Sequence, residues 1–423
     1  MNFNPALPLF WDEKAHRENL LRVFDVCHGC RRCFNLCPSF ADLFNTIDED
    51  RIDGDVKKLS DGEIRKVVDD CYYCRLCYNH CPYHTPHAYD LDFPRLMVQA
   101  KIQNAKKKKS SFRDRFLVNT DLSGRLFTPL APLVNFGNRI GFLRIILEKV
   151  LGIHRERLLP DFASRTFRSW FKGRKKVETR GAKKVVLFYT CHVNYNTPEI
   201  GKASLEVLER NGIEVAVPPQ VCCGMPFFDT GEIDRVLEKA QFNLDEMEKW
   251  VDRGYDIVIP VPTCSLMLKK EYPDLYQTEQ ARKVAAATFD LSEYLFKLHR
   301  EGGLALDFKQ TGFGKISWQV PCHLRDQNIG YKSRDLLKLI PGTEVEVIEK
   351  CSGHDGSWGV KTEFFKASMK VGGPLFRMIE EGAPARVASD CPLAGIQIAQ
   401  GTGKKAAHPI EILNEAYKGK ADA

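Results

Sequence analysis

Residues 27–38 read CHGCRRCFNLCP and residues 71–82 read CYYCRLCYNHCP, and these two stretches decide the first part of the fold. Each contains four cysteines in the spacing C-x2-C-x2-C-x3-C, and each ends in a proline. A structural zinc site uses paired cysteines or histidines rather than two matching four-cysteine runs. The spacing therefore indicates a larger metal centre that occurs twice.

This spacing is typical of the runs that hold cubane [4Fe–4S] clusters in bacterial two-cluster ferredoxins. In such runs the first three cysteines bind one cluster and the fourth binds the other. We therefore predict two [4Fe–4S] clusters in a helical, ferredoxin-like domain over residues 1–100. The predicted ligands are Cys27, Cys30, Cys33 and Cys81 for one cluster, and Cys71, Cys74, Cys77 and Cys37 for the other.

The composition excludes several classes of protein. The 423 residues include 15 cysteines, whereas a disulfide scaffold has more than about 8–10% cysteine. The sequence shows neither a secretory signal nor an apolar run long enough for a membrane-spanning helix. We expect a cytoplasmic protein that could be peripheral on the inner face of the membrane. It has no glycine motif for a nucleotide or flavin, so we place substrate oxidation on another protein of the same complex.

Residues 101–184 form a basic segment with 22 Lys or Arg residues against six Asp or Glu residues. An apolar stretch over residues 126–153 has helical spacing, which predicts one face of an amphipathic helix formed by Phe136, Ile140, Leu143, Leu147 and Val150. This face could pack on the protein or a partner, or lie on a membrane surface near quinone. Aromatic residues do not interleave with the basic ones, so no nucleic acid is expected. We assign residues 101–182 as a helical linker.

From residue 183 onward, β-branched strands alternate with amphipathic helices, which predicts parallel α/β sheets. The order of three strands and their helices occurs twice, so we predict a duplication with units at residues 183–303 and 304–423. Cysteines follow equivalent strands in both copies at closely similar intervals. They are Cys191, Cys222, Cys223 and Cys264 in the first unit, and Cys322, Cys351 and Cys391 in the second. The carboxyl ends of parallel strands form a common crevice, so each set should converge.

The motif Cys222-Cys223-Gly224 between Cys191 and Cys264, after two ferredoxin runs, resembles the cysteine-rich CCG family of iron–sulfur proteins. The resemblance covers nearly the whole chain in members from anaerobic glycerol-3-phosphate dehydrogenase. It extends to iron–sulfur proteins of glycolate oxidase and heterodisulfide reductase. It implies an α+β multidomain protein with a duplicated CCG domain that carries electrons from a flavoprotein toward quinone. In heterodisulfide reductase, motifs of this kind bind noncubane [4Fe–4S] clusters that cleave a disulfide, so the resemblance also allows such a cluster in this chain.

The sequence departs from the family pattern in both units. The first lacks the cysteine expected after Cys264, where the chain reads Ser265-Leu266-Met267, but four thiols remain for a third cluster of cubane or noncubane type. In the second unit Ser352 replaces one cysteine of the pair, and no thiol follows Cys391 at the family spacing. Iron or zinc could be bound there by Cys322, Cys351 and Cys391 with His323, His354 or Asp355. The alternative is an empty, degenerate site.

Together these features predict the iron–sulfur electron-transfer component of an oxidoreductase complex. Its partner would be a flavoprotein dehydrogenase of the glycerol-3-phosphate or 2-hydroxy-acid type, or another redox protein. The alternative is a catalytic reductase of disulfide or peroxide-linked substrates that uses the first-unit cluster, as in the CCG protein of heterodisulfide reductase. The sequence assigns no catalytic residue, and it names neither the substrate nor the acceptor.

Overall fold

Helices form nearly all of the regular structure before the first sheet. The computed structural model describes residues 3–108, 110–175 and 183–419, so Lys109 and residues 176–182 of the basic segment lie outside the described residues. The helices of the ferredoxin-like part are α1 (Glu13–Cys30), α2 (Pro38–Ile47), α3 (Asp61–Asp70), α4 (Leu76–His80) and α5 (Phe93–Lys107), with 3-10 turns at Pro8–Trp11 and Val56–Lys58. Apolar faces of α1, α2, α3 and α5 bury a common core that includes Phe24, Phe40, Phe44 and Met97.

The cysteine runs lie at helix ends and in the turns beside them, with Cys27 and Cys30 in the last turn of α1 and Cys77 in α4. Arg31 ends α1 in the left-handed conformation, with φ 55°. The equivalent Arg75, with φ 58°, precedes α4. Pro38 opens α2 directly after Cys37, a position where a proline costs no hydrogen bond. Pro38 therefore starts a helix, whereas Pro82 after the second run lies in a turn.

The basic segment is a series of short helices, and the prediction of one continuous amphipathic helix is wrong. The helices are α6 (Phe112–Val118), α7 (Thr120–Phe127), α8 (Ala131–Gly137), α9 (Gly141–Leu151) and α10 (Phe167–Lys172). Pro132 lies in the first turn of α8, and Ile140 is extended just before α9. The chain leaves the helical conformation at Ile140, so the predicted apolar face is divided, with Phe136 on α8 and Leu143, Leu147 and Val150 on α9.

The first α/β unit is built on a four-stranded parallel sheet. Its strands are β1 (Lys184–Leu187), β2 (Glu214–Ala216), β3 (Asp256–Ile259) and β4 (Thr288–Asp290), in the order β2-β1-β3-β4. Val186 is in register with Ala216 on one side and Ile257 on the other. The helices are α11 (Cys191–Tyr195), α12 (Pro198–Arg210), α13 (Met225–Asp229), α14 (Ile233–Val251), α15 (Pro262–Leu266), α16 (Tyr272–Tyr276), α17 (Glu279–Ala286) and α18 (Leu291–Arg300), with a π-helical turn at Met267–Glu271.

The second unit repeats this topology, which confirms the duplication. Its strands are β5 (Gly314–Gln319), β6 (Thr343–Ile348), β7 (Arg386–Ser389) and β8 (Ala406–Ala407), in the order β6-β5-β7-β8. Its helices are α19 (Cys322–Asp326), α20 (Lys332–Leu337), α21 (Phe365–Gly382), α22 (Pro392–Thr402) and α23 (Pro409–Lys418). Each sheet has a short fourth strand, β4 or β8, beyond the three that the sequence pattern predicted. Both sheets are parallel, as the alternation of strands and helices predicted.

The two units share one hydrophobic core. Val258 of β3, Trp318 of β5 and Ala388 of β7 all belong to this core. Helix α15 of the first unit contacts α19 of the second. The first unit also packs against the N-terminal residues Phe3 and Phe10. Within the described residues, no helix has the length and apolar character needed to cross a membrane.

Candidate iron–sulfur centres

The first ferredoxin set comprises Cys27, Cys30, Cys33 and Cys81, and the structure brings these thiols together. Burial raises the pKa of Cys27, and the neighbouring charges of Cys33, Cys81 and Cys30 raise it further. Burial likewise raises the pKa of Cys33 to about 11, with Cys81 and Cys30 contributing. All four residues are partly exposed. This set therefore lies near the surface of the protein.

The second ferredoxin set comprises Cys37, Cys71, Cys74 and Cys77, and it lies deeper. Burial raises the pKa of Cys77 well above its usual value, and the charges of Cys71 and Cys37 add to the effect. Cys37 belongs to the first sequence run, yet its thiol lies beside those of the second. The fourth cysteine of each run is thus placed among the first three of the other.

Backbone N–H groups form hydrogen bonds to cysteine sulfur in both ferredoxin sets. The N–H groups of Ser39 and Phe40 at the start of α2 lower the pKa of Cys37 against the larger effect of burial. Those of Tyr83 and His84 do the same for Cys81. Such donors favour thiolate over thiol, and thiolate is the form that binds iron. The donor chemistry of both sets therefore fits a [4Fe–4S] cluster.

The first-unit set comprises Cys191, Cys222, Cys223 and Cys264, each placed just after a strand of the first sheet. Cys191 Sγ lies 3.8 Å from Cys222 Sγ. Hydrogen bonds from the Cys191 and Cys223 thiols hold the pKa of Cys222 well below its usual value. Bonds to Cys222 and Cys264, followed by burial, raise the pKa of Cys223. Four thiols at the carboxyl edge of one sheet fit a metal centre in which at least one sulfur is readily ionised.

Side chains from outside the motif hold this loop. Asp121, at the start of α7, accepts a hydrogen bond from Cys222 N at 3.1 Å and forms an ion pair with Lys239 Nζ at 2.6 Å. Tyr272 Oη donates to Cys223 O at 2.8 Å, and Asn243 Oδ1 accepts from Val221 N at 3.0 Å. None of these residues belongs to a motif that the sequence predicted. Asp121, an acid within the strongly basic segment, was the one available signal.

The second-unit set comprises Cys322, Cys351 and Cys391, at the equivalent edge of the second sheet. Burial raises the pKa of Cys322, and the charges of Cys351 and Cys391 raise it further. Burial raises the pKa of Cys391 to about 11, against the N–H groups of Ala394 and Leu393, which lower it. Gly353 N donates to Cys351 Sγ at 3.3 Å. These donors resemble those of the ferredoxin sets, so they favour the thiolate form that would ligate an iron–sulfur cluster rather than a single metal ion.

Both ring nitrogens of His323 take part in hydrogen bonds, and its role as a metal ligand stays a prediction. Its Nε2 donates to Tyr73 O at 2.9 Å, so its Nδ1 accepts from the Thr263 hydroxyl at 2.9 Å. Both ring nitrogens are therefore occupied. The imidazole thus connects Tyr73, which precedes Cys74 of the second ferredoxin run, with Thr263, which precedes Cys264 of the first unit.

His354 and Asp355 have different surroundings. His354 Nδ1 donates to Asp355 O at 2.8 Å, while its buried Nε2 has no hydrogen-bond partner among the described residues. A ligating histidine commonly donates its other N–H to a carbonyl in this way. The Asp355 carboxylate accepts from Trp358 N at 3.3 Å. Burial raises its pKa, and the nearby Asp229 raises it further. Among the three predicted non-cysteine ligands, His354 is the one with a buried nitrogen, Nε2, that has no hydrogen-bond partner among the described residues and could bind a metal.

The four cysteine sets are neighbours in a definite order. Cys33 affects the pKa of Cys77, which places the first ferredoxin set beside the second. Cys351 and Cys322 affect the pKa of Cys74, which places the second ferredoxin set beside the second unit. Cys264 affects the pKa of Cys391, which places the two units beside each other. Within residues 3–108, 110–175 and 183–419, no three His, Cys, Asp or Glu side chains converge closely enough for a single metal ion.

Comparisons with known proteins agree with this organisation. Residues 19–82 match a 4Fe-4S dicluster domain, and residues 185–269 and 316–399 each match a cysteine-rich domain, named CCG. One of the subunits of anaerobic glycerol-3-phosphate dehydrogenase from Escherichia coli K12 is 31% identical over 322 residues, which cover 74% of this chain and 81% of that protein. The matched domains confirm the two predicted [4Fe–4S] clusters and the duplicated α/β fold.

Two further relatives match a smaller share of this chain. One of the subunits of fumarate reductase (CoM/CoB) from Methanothermobacter marburgensis is 31% identical over 237 residues, or 55% of this chain and 45% of that protein. Lactate utilization protein A of Bacillus cytotoxicus is 29% identical over 246 residues, or 55% of this chain and 98% of that protein. No feature of these comparisons favours the heterodisulfide-reductase-type catalysis predicted as the alternative. The chain therefore belongs to the CCG family of iron–sulfur electron-transfer proteins, together with its relative from anaerobic glycerol-3-phosphate dehydrogenase.

Proposed function

We propose that this chain relays electrons between a flavoprotein dehydrogenase and an acceptor such as quinone. The observation that carries this proposal is the order of the cysteine sets, from a surface set through a buried one to the two α/β units. When bound, [4Fe–4S] clusters accept and release one electron at a time. The residues of the chain hold the sulfur ligands in thiolate form, space the four sites and exclude water from the inner ones.

The proposed ligands follow from the same placement. Cys27, Cys30, Cys33 and Cys81 would hold the surface cluster, and Cys37, Cys71, Cys74 and Cys77 the buried one. A third cluster would be held by Cys191, Cys222, Cys223 and Cys264. In the second unit, Cys322, Cys351 and Cys391 would hold a further iron–sulfur centre. His354, three residues after Cys351, is the predicted non-cysteine ligand whose buried Nε2 has no hydrogen-bond partner among the described residues.

The dehydrogenase partner would dock beside the surface cluster. Phe34 and Tyr89 are exposed large side chains close in sequence to Cys33 and Cys81 respectively, and Arg32 next to Cys33 is also exposed. Aromatic and arginine side chains are enriched at protein interfaces. Relatives named for glycerol-3-phosphate dehydrogenase and for lactate utilization support a partner that oxidises a hydroxylated small molecule.

The order of the relay can be tested by breaking its second site. Reduced flavodoxin, a flavin donor of protein size, would be mixed anaerobically with the reconstituted full chain, and cluster reduction followed by absorbance and EPR. Cys74→Ser should leave the surface cluster reducible. The centres in the α/β units should stay oxidised over the time in which those of the wild type are reduced. Reduction of those centres at the wild-type rate would contradict the proposed order. Iron analysis must first show that only the second cluster is lost.

The acceptor side would lie at a membrane, on which the helices of the basic segment rest. Of the 17 large apolar side chains exposed among the described residues, eleven fall between Phe112 and Leu158. Phe142 and Val150 are 70% and 73% exposed. Exposed basic residues Arg125, Arg139 and Lys149 lie on or beside the same helices. Apolar side chains among basic ones are the combination that binds an anionic lipid surface.

Vesicle sedimentation tests this contact. The double variant Phe142→Asp/Val150→Asp should bind vesicles that contain phosphatidylglycerol at least about a hundredfold more weakly than wild type, since two large apolar side chains no longer enter the lipid. Phe242→Asp, at an exposed phenylalanine on α14, is the matched control and should bind normally. Equal binding by all three proteins would overturn the membrane contact. Loss of partner binding rather than lipid binding would assign the helices to a protein interface.

A further inference from the structure

Tyr72 belongs to the second ferredoxin run but reaches into the second α/β unit. It stands between Cys71 and Cys74 in the sequence, and its side chain is buried, with 4% of the residue exposed. Its hydroxyl oxygen lies 3.5 Å from Cys351 Sγ, across 279 positions of the chain. The ring packs at 4.7 Å, between centroids, on Trp358. The tyrosine is therefore held by both parts of the protein.

The direction of the Tyr72–Cys351 hydrogen bond follows from the chemistry of a metal ligand. A thiolate sulfur has no proton, so it can only accept, and a tyrosine hydroxyl at neutral pH is a donor. Gly353 N donates to the same sulfur at 3.3 Å. Cys351 Sγ thus receives two hydrogen bonds, one from its own loop and one from the ferredoxin-like part.

Hydrogen bonds to a ligand sulfur withdraw electron density and stabilise the more negative, reduced form of the centre. We propose that Tyr72 is a positioning residue that raises the reduction potential of the second-unit centre and couples it to the neighbouring ferredoxin cluster. This inference rests on the proposed presence of a metal centre at Cys322, Cys351 and Cys391. The tyrosine supplies a short connection from the backbone beside Cys71 and Cys74 to Cys351.

The neighbouring Tyr73 provides a matched control. Its hydroxyl donates to Glu271 Oε1 at 3.0 Å and accepts from Arg75 Nη1 at 3.0 Å, so its hydrogen bonds go to charged side chains rather than to sulfur. Tyr72→Phe and Tyr73→Phe each remove one buried hydroxyl and keep the aromatic ring. Because phenylalanine can preserve the stacking on Trp358, Tyr72→Phe should retain the fold and full metal content.

The test is an EPR-monitored redox titration of the anaerobically reconstituted full chain. Cys351→Ser identifies the second-unit signal. Tyr72→Phe should lower the potential of that signal so that the equilibrium constant for its reduction by the adjacent cluster falls about tenfold, or about 59 mV for one electron. Tyr73→Phe should leave it in place. An unchanged potential in Tyr72→Phe at wild-type metal content would overturn the inference.

Failure of the underlying function gives a different result. If no signal disappears in Cys351→Ser, the second unit holds no redox centre and the inference is overturned. Reduction of the two ferredoxin clusters by flavodoxin would still be observed in that case. If that reduction also fails while iron content is normal, the relay itself is refuted.

Discussion

The Arg75 guanidinium and the Asp326 carboxylate form a buried ion pair, with Nε 2.9 Å from Oδ2, that joins the second ferredoxin run to the second α/β unit. The two side chains are 4% and 0% exposed. Asp326 also accepts from Lys270 of the first unit. Three parts of the chain thus meet at helix α19, which begins at the predicted ligand Cys322.

Arg75→Leu should destabilise the protein far more than the equivalent Arg31→Leu. Both arginines follow the second cysteine of a run and adopt positive φ, so the backbone strain is matched. Removing Arg75 leaves a buried carboxylate with a weaker partner and should cost about 3–5 kcal/mol. Arg31 pairs with Asp48 at the surface, so its loss should cost about 0–1 kcal/mol. Urea unfolding of the loaded proteins measures both. Similar losses would show that the buried pair does not hold the units together.

Pairs of serine substitutions should reveal which cysteines share a cluster. Cys30→Ser and Cys81→Ser each remove a ligand of the proposed surface cluster. Their double variant should therefore lose about four irons, as each single variant does. Cys30→Ser with Cys37→Ser should lose about eight irons, because the two residues are assigned to different clusters. Iron analysis after anaerobic reconstitution gives the counts. Iron loss that follows the linear runs instead would reject the crossed assignment.

The sequence was sufficient for features that depend on local spacing. The cysteine intervals predicted two clusters, and the alternation of apolar strands with helices predicted two parallel sheets with the cysteines after their strands. These features repeat every few residues or every unit, so one chain reveals them. The strands β4 and β8 were missed because they are only three and two residues long. The extended backbone at Ile140 divides the predicted helix, although its helical spacing suggested continuity.

Contacts between distant residues could not be predicted. Asp121 reaches Cys222 across 101 positions, and His323 reaches Tyr73 across 250. Neither lies in a pattern that local spacing can reveal. The order of the four cysteine sets depends on such contacts and became visible only in the folded chain.

Glycine substitutions should separate the two copies of the CCG motif. Gly224 and Gly353 both adopt positive φ, at 94° and 73°, where a Cβ costs about 1–2 kcal/mol. A Cβ at Gly224 would meet Val236 at an ordinary 3.4 Å, but one at Gly353 would lie 2.4 Å from Ser368 O. Gly353→Ala should therefore cost about 2–5 kcal/mol in total, because helix α21 must also move. Thermal unfolding provides the comparison. Equal costs would indicate that α21 yields without penalty.

The last prediction concerns Asp290, the N-cap of α18, whose pKa is raised to about 7 by burial and by the nearby Asp390. Its carboxylate accepts from Ser265 Oγ at 3.1 Å and from Ser292 N at 3.1 Å. Because the folded-state pKa lies above the unfolded one, the folded state binds more protons between these values. The stabilising effect is complete below about pH 4 and is lost as the pH rises through about 7.

Asp290→Asn should remove this dependence, since the amide oxygen can still accept the capping bonds without a charge. Between pH 5 and pH 7 the wild-type unfolding free energy should fall by up to about 1.4 kcal/mol per pH unit more than that of the variant. Urea unfolding of both loaded proteins at several pH values measures the difference. Asp256→Asn is the control, because Asp256 is another carboxyl with a raised pKa. Asp256 is half-buried and begins β3, at the end of the sheet opposite to Asp290. Parallel pH profiles for wild type and Asp290→Asn would show that this carboxyl does not titrate in the folded protein.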